Sequence, residues 1–263
     1  MKKIKFFQVD AFTDHLFGGN PAAVCLLDQW LDDRLMQAIA MENNLSETAF
    51  VVKQGDRFAI RWFTPTVEVD LCGHATLASA FVIFNHSDFQ GGEIIFHSLR
   101  SGELKVRQDL GKLFLDFPAD EIHGCDMIPE IIKGTGSTPL EVYRGKSDYM
   151  AVFGSEEEVL GILPDFDTIE KIDARGLIVT AHGNTVDFVS RFFGPQSGVD
   201  EDPVTGSAHT TLIPYWSGRL GKTILHAKQL SKRVGNLDCQ FLPPRVIIGG
   251  EAQLFASGEI ILT

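Results

Sequence analysis

Polar and apolar residues alternate over several short stretches of this chain, the period of two that predicts strands. In two places the alternation gives way to a run that is apolar almost all round. Lys5 to Asp10 alternates and Ala22 to Leu27 is a short apolar run, while Phe17-Gly18-Gly19-Asn20-Pro21 between them predicts a turn. Asp32 to Met41 has helical spacing through Leu35, Ile39 and Ala40, with acidic residues in its first turn. Thr48 to Val52 and Arg57 to Phe63 predict strands, and residues 74–84 a central, buried helix. The second half resembles the first. A helix is expected over Ser155 to Leu163, strands over Gly176 to Thr180 and Val186 to Phe193, and a buried helix over Ala208 to Trp216. Val246 to Gly249 and Leu254 to Thr263 read as a closing hairpin.

The likeness of the halves extends to residues. FAIRWFTPTVEVDLCGHATLASAFVIF (58–84) and FVSRFFGPQSGVDEDPVTGSAHTTLIPYW (188–216) share a strand-like run with an Arg, an aromatic pair, a Pro loop, acidic residues, then a Gly opening an apolar helix. Cys72-Gly73-His74-Ala75 aligns with Thr205-Gly206-Ser207-Ala208, and the second copy has about three more loop residues. A period of about 130 residues is far too long for a solenoid. It predicts two homologous domains, 1–118 and 119–263, with the last strand able to pack back on the first. The Pro- and Gly-rich stretch 112–137 contains the crossing. The expected class is α/β (α+β), with a sheet wrapped around one buried helix in each half.

Composition narrows the function. With 263 residues, 44% hydrophobic, the chain can build a sizeable core, and its net charge of -12 argues against binding nucleic-acid phosphates. No window approaches 18 uninterrupted apolar residues, so neither a membrane span nor a membrane partner is expected. Gln8, Asp10, Thr13 and Asp14 break the apolar stretch after the first lysines, against a signal peptide. Cys25, Cys72, Cys125 and Cys239 are too dispersed for a zinc or disulfide framework and read as reduced thiols, so a cytoplasmic protein is expected. Phosphate-loop, HExxH, GxSxG and EF-hand patterns are absent.

Candidate chemistry gathers at the duplicated turns. Gly73-His74 and Gly206-Ser207 stand where a loop enters a buried helix, and first-turn N–H groups there could hold a carboxylate. The alternative is that the glycines only permit tight turns and Ser207 caps its helix. His74 can donate, accept or shuttle a proton. Of Glu201 and Asp202, Asp202 is preferred for orienting or sharing a proton, with Glu201 expected as a solvated charge. Glu47, in Asn43-Asn44-Leu45-Ser46-Glu47-Thr48, interrupts the passage into an apolar strand. Burial there would suit a carboxyl for acid/base work, and an exposed loop Glu is the alternative. Cys72 is either a thiolate at a helix start or core, Asn20 either a turn residue or a substrate contact, and Asp70 a cap or a brace for the loop.

Four strings, QVDAFTDHLFGGNPAAV, NNLSETAFVV, RWFTPTVEVDLCGHATLASAFV and GVDEDPVTGSAH, with QLSKRVGNLDC near the end, strongly resemble the PhzF-like (phenazine biosynthesis protein) isomerases of the diaminopimelate epimerase fold. The resemblance spans essentially the whole chain. It implies two pseudo-symmetric domains, each a barrel-like, mostly antiparallel sheet around a central helix, with the active site between them. It also implies a homodimer, a small carboxylate substrate, and no metal or cofactor. By the same resemblance Glu47, His74 and Asp202 are the catalytic residues. Gly73, Gly206 and Ser207 bind substrate, with Asn20 and Cys72 beside them. The family's named activity is isomerisation of trans-2,3-dihydro-3-hydroxyanthranilate, in which a glutamate takes a proton from one carbon and returns it to another. Racemases of the wider superfamily use two thiols, whereas this chain has Cys72 at one turn and Thr205 at the other. The alternatives are an epimerase or racemase using Cys72 and a catalytically inactive small-molecule binding protein on the same fold.

Overall fold

In the first half the alternating segments become strands and the all-apolar segment becomes a helix. The elements are β1 (Lys2–Ala11), β2 (Asn20–Leu27), α1 (Asp33–Asn43), β3 (Glu47–Gln54), β4 (Arg57–Phe63), β5 (Glu68–Val69), α2 (Gly73–His86), β6 (Glu93–Ser98), β7 (Gly102–Asp109) and β8 (Lys112–Pro118). The second half follows with β9 (His123–Gly124), α3 (Pro129–Thr135), β10 (Glu141–Arg144), β11 (Asp148–Val152), α4 (Glu156–Gly161), α5 (Phe166–Ile169), β12 (Gly176–His182), β13 (Phe188–Gly194) and β14 (Val199–Asp202). The chain ends with α6 (Gly206–Leu220), β15 (Ile224–Gln229), β16 (Gly235–Leu242), β17 (Arg245–Gly250) and β18 (Ala252–Leu262). The computed structural model describes residues 2–262, in two units, Met1–Asp116 with Gly249–Thr263, and Phe117–Ile248.

In the first unit β1 lies between β2 and β18 and is antiparallel to both. β2 runs parallel to β3, a pairing that requires a crossover, and α1 supplies it. Met36, Ile39 and Ala40 of α1 pack onto Ile4, Cys25, Phe50 and Phe63. β4 is antiparallel to β3 and parallel to β6, and β6, β7 and β8 form a meander. α2 packs against β1, β2 and β3. It is buried along nearly its whole length, and Ala75, Thr76, Ala78, Ser79 and Ala80 let the strands approach its axis. The hydroxyls of Thr76 and Ser79 donate to the carbonyls of Cys72 and Ala75, at 2.5 and 2.7 Å, so their burial leaves no polar group stranded.

The second unit repeats this plan. β11 is parallel to β12, β12 antiparallel to β13, and β13 parallel to β15. α6 takes the place of α2 and contains Pro214. A proline has no N–H, so the carbonyl four residues earlier, on Thr210, loses its helical donor. The backbone N–H of Asp120 donates to that carbonyl at 3.1 Å instead.

An ion pair marks the repeat most sharply. Arg61 grips Glu68 through Nε and Nη2 at 2.7 and 2.8 Å, seven residues apart. Arg191 grips Glu201 the same way at 2.8 and 2.9 Å, ten residues apart. Phe63 lies under the first guanidinium and Phe193 under the second, and each pairs in register with its acid. The three extra residues of the second copy are taken up by a bulge at Phe193/Gly194 and a 3-10 turn over Pro195–Ser197. Glu201 is therefore not the solvated charge expected of it. Its side chain is 21% exposed and salt-bridged.

The closing hairpin is corrected as well. Glu251 alone separates β17 from β18, too few residues for a hairpin turn. β18 runs instead along β1, from Lys2↔Leu262 to Ala11↔Ala252, placing the chain end in the first unit; Thr263 lies outside the described residues. Among the described residues no helix is long and apolar enough to cross a membrane, and no disulfide joins the four cysteines.

Arg191 also donates to the carbonyls of Val159 and Ile162 at the end of α4, at 3.1 and 2.7 Å. Arg191→Met strands these carbonyls and the Glu201 carboxylate together. It should cost about 3 kcal/mol in urea unfolding, and Arg191→Met/Glu201→Gln should recover part of that loss.

Candidate active site

In the first unit Asn20, Glu47, Cys72, Gly73 and His74 come together although the sequence spreads them over 55 positions. Each is placed by the start of an element. Gly19 sits at φ +56, where a Cβ would lie 2.0 Å from the Ala11 carbonyl oxygen, so only glycine makes the turn that delivers Asn20 to the start of β2. Glu47 is the first residue of β3, opposite Ala22. Gly73 and His74 open α2, and the Cys72 side chain at the N-cap position does not cap the helix. The positive end of a fourteen-residue helix thus has no side-chain cap on its first turn.

His74 is at the centre of this group. Its Nε2 is 3.3 Å from Glu47 Oε2, its Nδ1 is 3.1 Å from the Asn20 amide nitrogen, and Cys72 Sγ is 3.5 Å from Nδ1 and 4.0 Å from Nε2. The ring is 4% exposed, and burial pushes its pKa down to about 3. It is therefore neutral at working pH, so its 3.3 Å contact with Glu47 is not an ion pair. With the Asn20 amide donating to Nδ1, the single ring proton sits on Nε2, on the Glu47 side of the ring. The Glu47 side chain keeps 16% of its surface exposed, with Oε2 buried beside the His74 ring.

The second unit carries Asp202, Gly206 and Ser207. Asp202 ends β14 and accepts from the Thr205 hydroxyl at 2.6 Å, while its carbonyl accepts from Gln229 at 2.7 Å. Gln229 also accepts from the Thr205 N–H at 2.8 Å. Gly206 and Ser207 open α6 as Gly73 and His74 open α2. Ser207 Oγ accepts from Arg175 Nη1 at 2.8 Å, and Arg175 is held by both carboxylate oxygens of the buried Asp148, over the ring of Phe192. Arg175, Asp148 and Gln229 had no local signal in the sequence. Asp70 braces its loop as expected, accepting from Arg100 at 2.8 Å and, through its carbonyl, from Ser101 at 2.6 Å.

The two copies differ where chemistry is concerned. The registers of β3 with β4 and of β12 with β13 place Gly176 at the position of Glu47. A Cβ on Gly176 would come within 2.3 Å of Phe192 and 2.8 Å of the Phe193 carbonyl, so no side chain fits there. One copy therefore has the carboxylate, the thiol and the imidazole, and the other has Gly176, Thr205 and Ser207. This fold and site are those of an isomerase.

Comparison with known proteins gives the family. Residues 9–258 match the PhzC-PhzF family of phenazine biosynthesis-like proteins. An uncharacterized isomerase of Pseudomonas aeruginosa is 50% identical over 260 residues, 99% of this chain and all of that one. The crystal structure of a PhzF-family protein from Enterococcus faecalis superposes with a TM-score of 0.96 at 49% identity, covering 99% of this chain and 100% of that one. The fold alone extends to a probable proline racemase of Agrobacterium radiobacter, with a TM-score of 0.63 at 10% identity, over 99% of this chain and 93% of that one. The chain belongs to the PhzC-PhzF family of phenazine biosynthesis-like proteins.

His209, one turn into α6, is fully buried and donates from Nδ1 to the Thr205 carbonyl at 2.9 Å. Burial lowers its pKa to about 4, so it stays neutral in the folded protein. Below pH about 6.5 the unfolded chain takes up a proton that the folded chain refuses, and stability falls between there and pH 4. His209 should contribute a loss on the order of 3 kcal/mol across that window. Unfolding of His209→Gln followed against pH should show a shallower acid limb than the wild type, with no change above pH 7.

Proposed function

We propose that the protein moves a proton between carbon atoms of a small cyclic or amino carboxylate, with Glu47 as the acid/base and with no metal or cofactor taking part. The observation that carries this reading is the 3.3 Å contact between Glu47 and a buried, neutral His74, whose ring is fixed by Asn20. A general base needs a defined direction and a route to its substrate. His74 supplies the first by packing against one carboxylate oxygen at 3.3 Å, and the exposed part of Glu47 supplies the second. The carboxylate takes the proton from the substrate carbon, which becomes electron-rich, and the resulting carboxyl returns that proton to a second carbon. The first-turn N–H groups at Gly73 and His74 favour a substrate carboxylate and the charge that develops on proton removal. In the same reading Asp202 is the second catalytic acid, and Gly206 and Ser207 contribute to substrate binding. The protein acts in the cytoplasm as a homodimer.

One observation favours a second reading. Cys72 Sγ lies against the His74 ring at 3.5 Å, a placement suited to an epimerase that exchanges a proton through the thiol. Turnover by Cys72→Ala would exclude it.

The assay is a panel of cyclic and amino carboxylates, beginning with trans-2,3-dihydro-3-hydroxyanthranilate, the substrate that the family resemblance implies. On any substrate that wild type converts, Glu47→Gln should lose about a thousandfold in kcat while keeping its melting temperature. A variant within a few-fold of wild type would refute the assignment. Asp202→Asn should also lower kcat, with unfolding unchanged to within about 1 kcal/mol.

A further inference from the structure

The catalytic group contains a third donor that the proposed proton transfer does not use. Glu47, Cys72 and His74 each offer one ligand atom, a carboxylate oxygen, a sulfur and a ring nitrogen, and the three atoms lie within 4.8 Å of one another. We propose that Glu47, Cys72 and His74 form a binding site for a zinc-type divalent cation, and that its occupation withdraws Glu47 from catalysis. The effect on catalysis rests on the reading of Glu47 as acid/base; the binding does not.

The donor set selects the ion. Thiolate, imidazole and carboxylate together suit zinc and its neighbour cobalt, whereas magnesium and calcium require oxygen ligands. Tetrahedral zinc, with bonds of about 2.0–2.1 Å to nitrogen and oxygen and about 2.3 Å to sulfur, sets neighbouring donors roughly 3.3–3.6 Å apart. His74 Nε2 is already 3.3 Å from Glu47 Oε2 and 4.0 Å from Cys72 Sγ, and all three atoms lie within 4.8 Å of one another, so side-chain rotations of about an ångström close the triangle. Cys72 and His74 are buried while Glu47 is partly exposed, which leaves the fourth position to water on the side of Glu47.

Asn20 fits both uses of the ring. Donating from its amide nitrogen to Nδ1, it leaves the proton on Nε2, facing Glu47. Turned so that its oxygen accepts from Nδ1–H, it frees the Nε2 lone pair for a metal and becomes the outer-shell partner that metal-bound histidines generally have. Binding breaks the S–H bond of Cys72, the sulfur keeping the electron pair for the metal and the proton passing to solvent.

The test uses cobalt(II) as a spectroscopic stand-in, titrated into the full-length protein. Wild type should bind one cobalt per chain and develop thiolate-to-cobalt charge-transfer absorption, which zinc then removes by displacement. Cys125→Ser, which alters an exposed thiol, should keep the band. Cys72→Ser should lose it. Glu47→Gln should keep the band but bind zinc at least an order of magnitude more weakly in competition with a colorimetric chelator. Stoichiometric zinc should also stop wild-type turnover, and EDTA should restore it. Absence of the band in wild type, or its persistence in Cys72→Ser, would overturn the site. Full turnover by Glu47→Gln would instead overturn the catalytic reading and leave the cobalt result standing.

Discussion

A helix buried along nearly its whole length forces the rest of this architecture, because every polar group it carries inside must find a partner and its positive end must open somewhere. In the first unit small residues on α2 admit the surrounding strands, and serine and threonine hydroxyls fold back on the helix's own carbonyls. The buried hydroxyls of its lateral surface are thereby satisfied. The first turn, where Gly73 and His74 leave N–H groups without a side-chain cap, is where polarity is concentrated. α6, having Pro214 in its interior, takes an outside donor from Asp120.

Duplication supplies two such helix starts, and divergence gives them different uses. The framework is retained almost atom for atom in the paired guanidinium, carboxylate and aromatic ring of Arg61, Glu68 and Phe63 and of Arg191, Glu201 and Phe193. The chemistry is not. Glu47 has Gly176 as its counterpart, where packing against Phe192 excludes any side chain, and Cys72 has Thr205, whose hydroxyl is committed to Asp202. A pair of symmetric bases cannot be built on such halves, which is the physical reason to prefer a single carboxylate that both removes and returns the proton.

The sequence made some of this legible and not the rest. Order of residue types was readable, so the repeated Arg, aromatic pair, Gly and apolar helix located both central helices and the turns that open them. Long-range pairing was not. The last strand was expected to be able to pack back on the first domain, but period-two alternation cannot say that β18 lies beside β1. Glu201 was misread because its local context is a polar loop, although the Arg shared by both copies was the available signal of a partner. Arg175 and Asp148 are 27 residues apart with nothing periodic between them, so their ion pair could be seen only in the fold. Asn20, ambiguous as a turn residue, is defined by its buried contact with His74.

The account depends most on the claim that the Glu47 carboxylate breaks the substrate's carbon–hydrogen bond. A substrate converted by wild type, deuterated at the carbon that gives up its proton, reports this by NMR whether or not the transferred proton mixes with solvent. Wild type should remove the label from that carbon, and Glu47→Gln should leave it in place over the same time with Asn20, His74 and the fold intact. Loss of the label at the wild-type rate in Glu47→Gln would contradict the account.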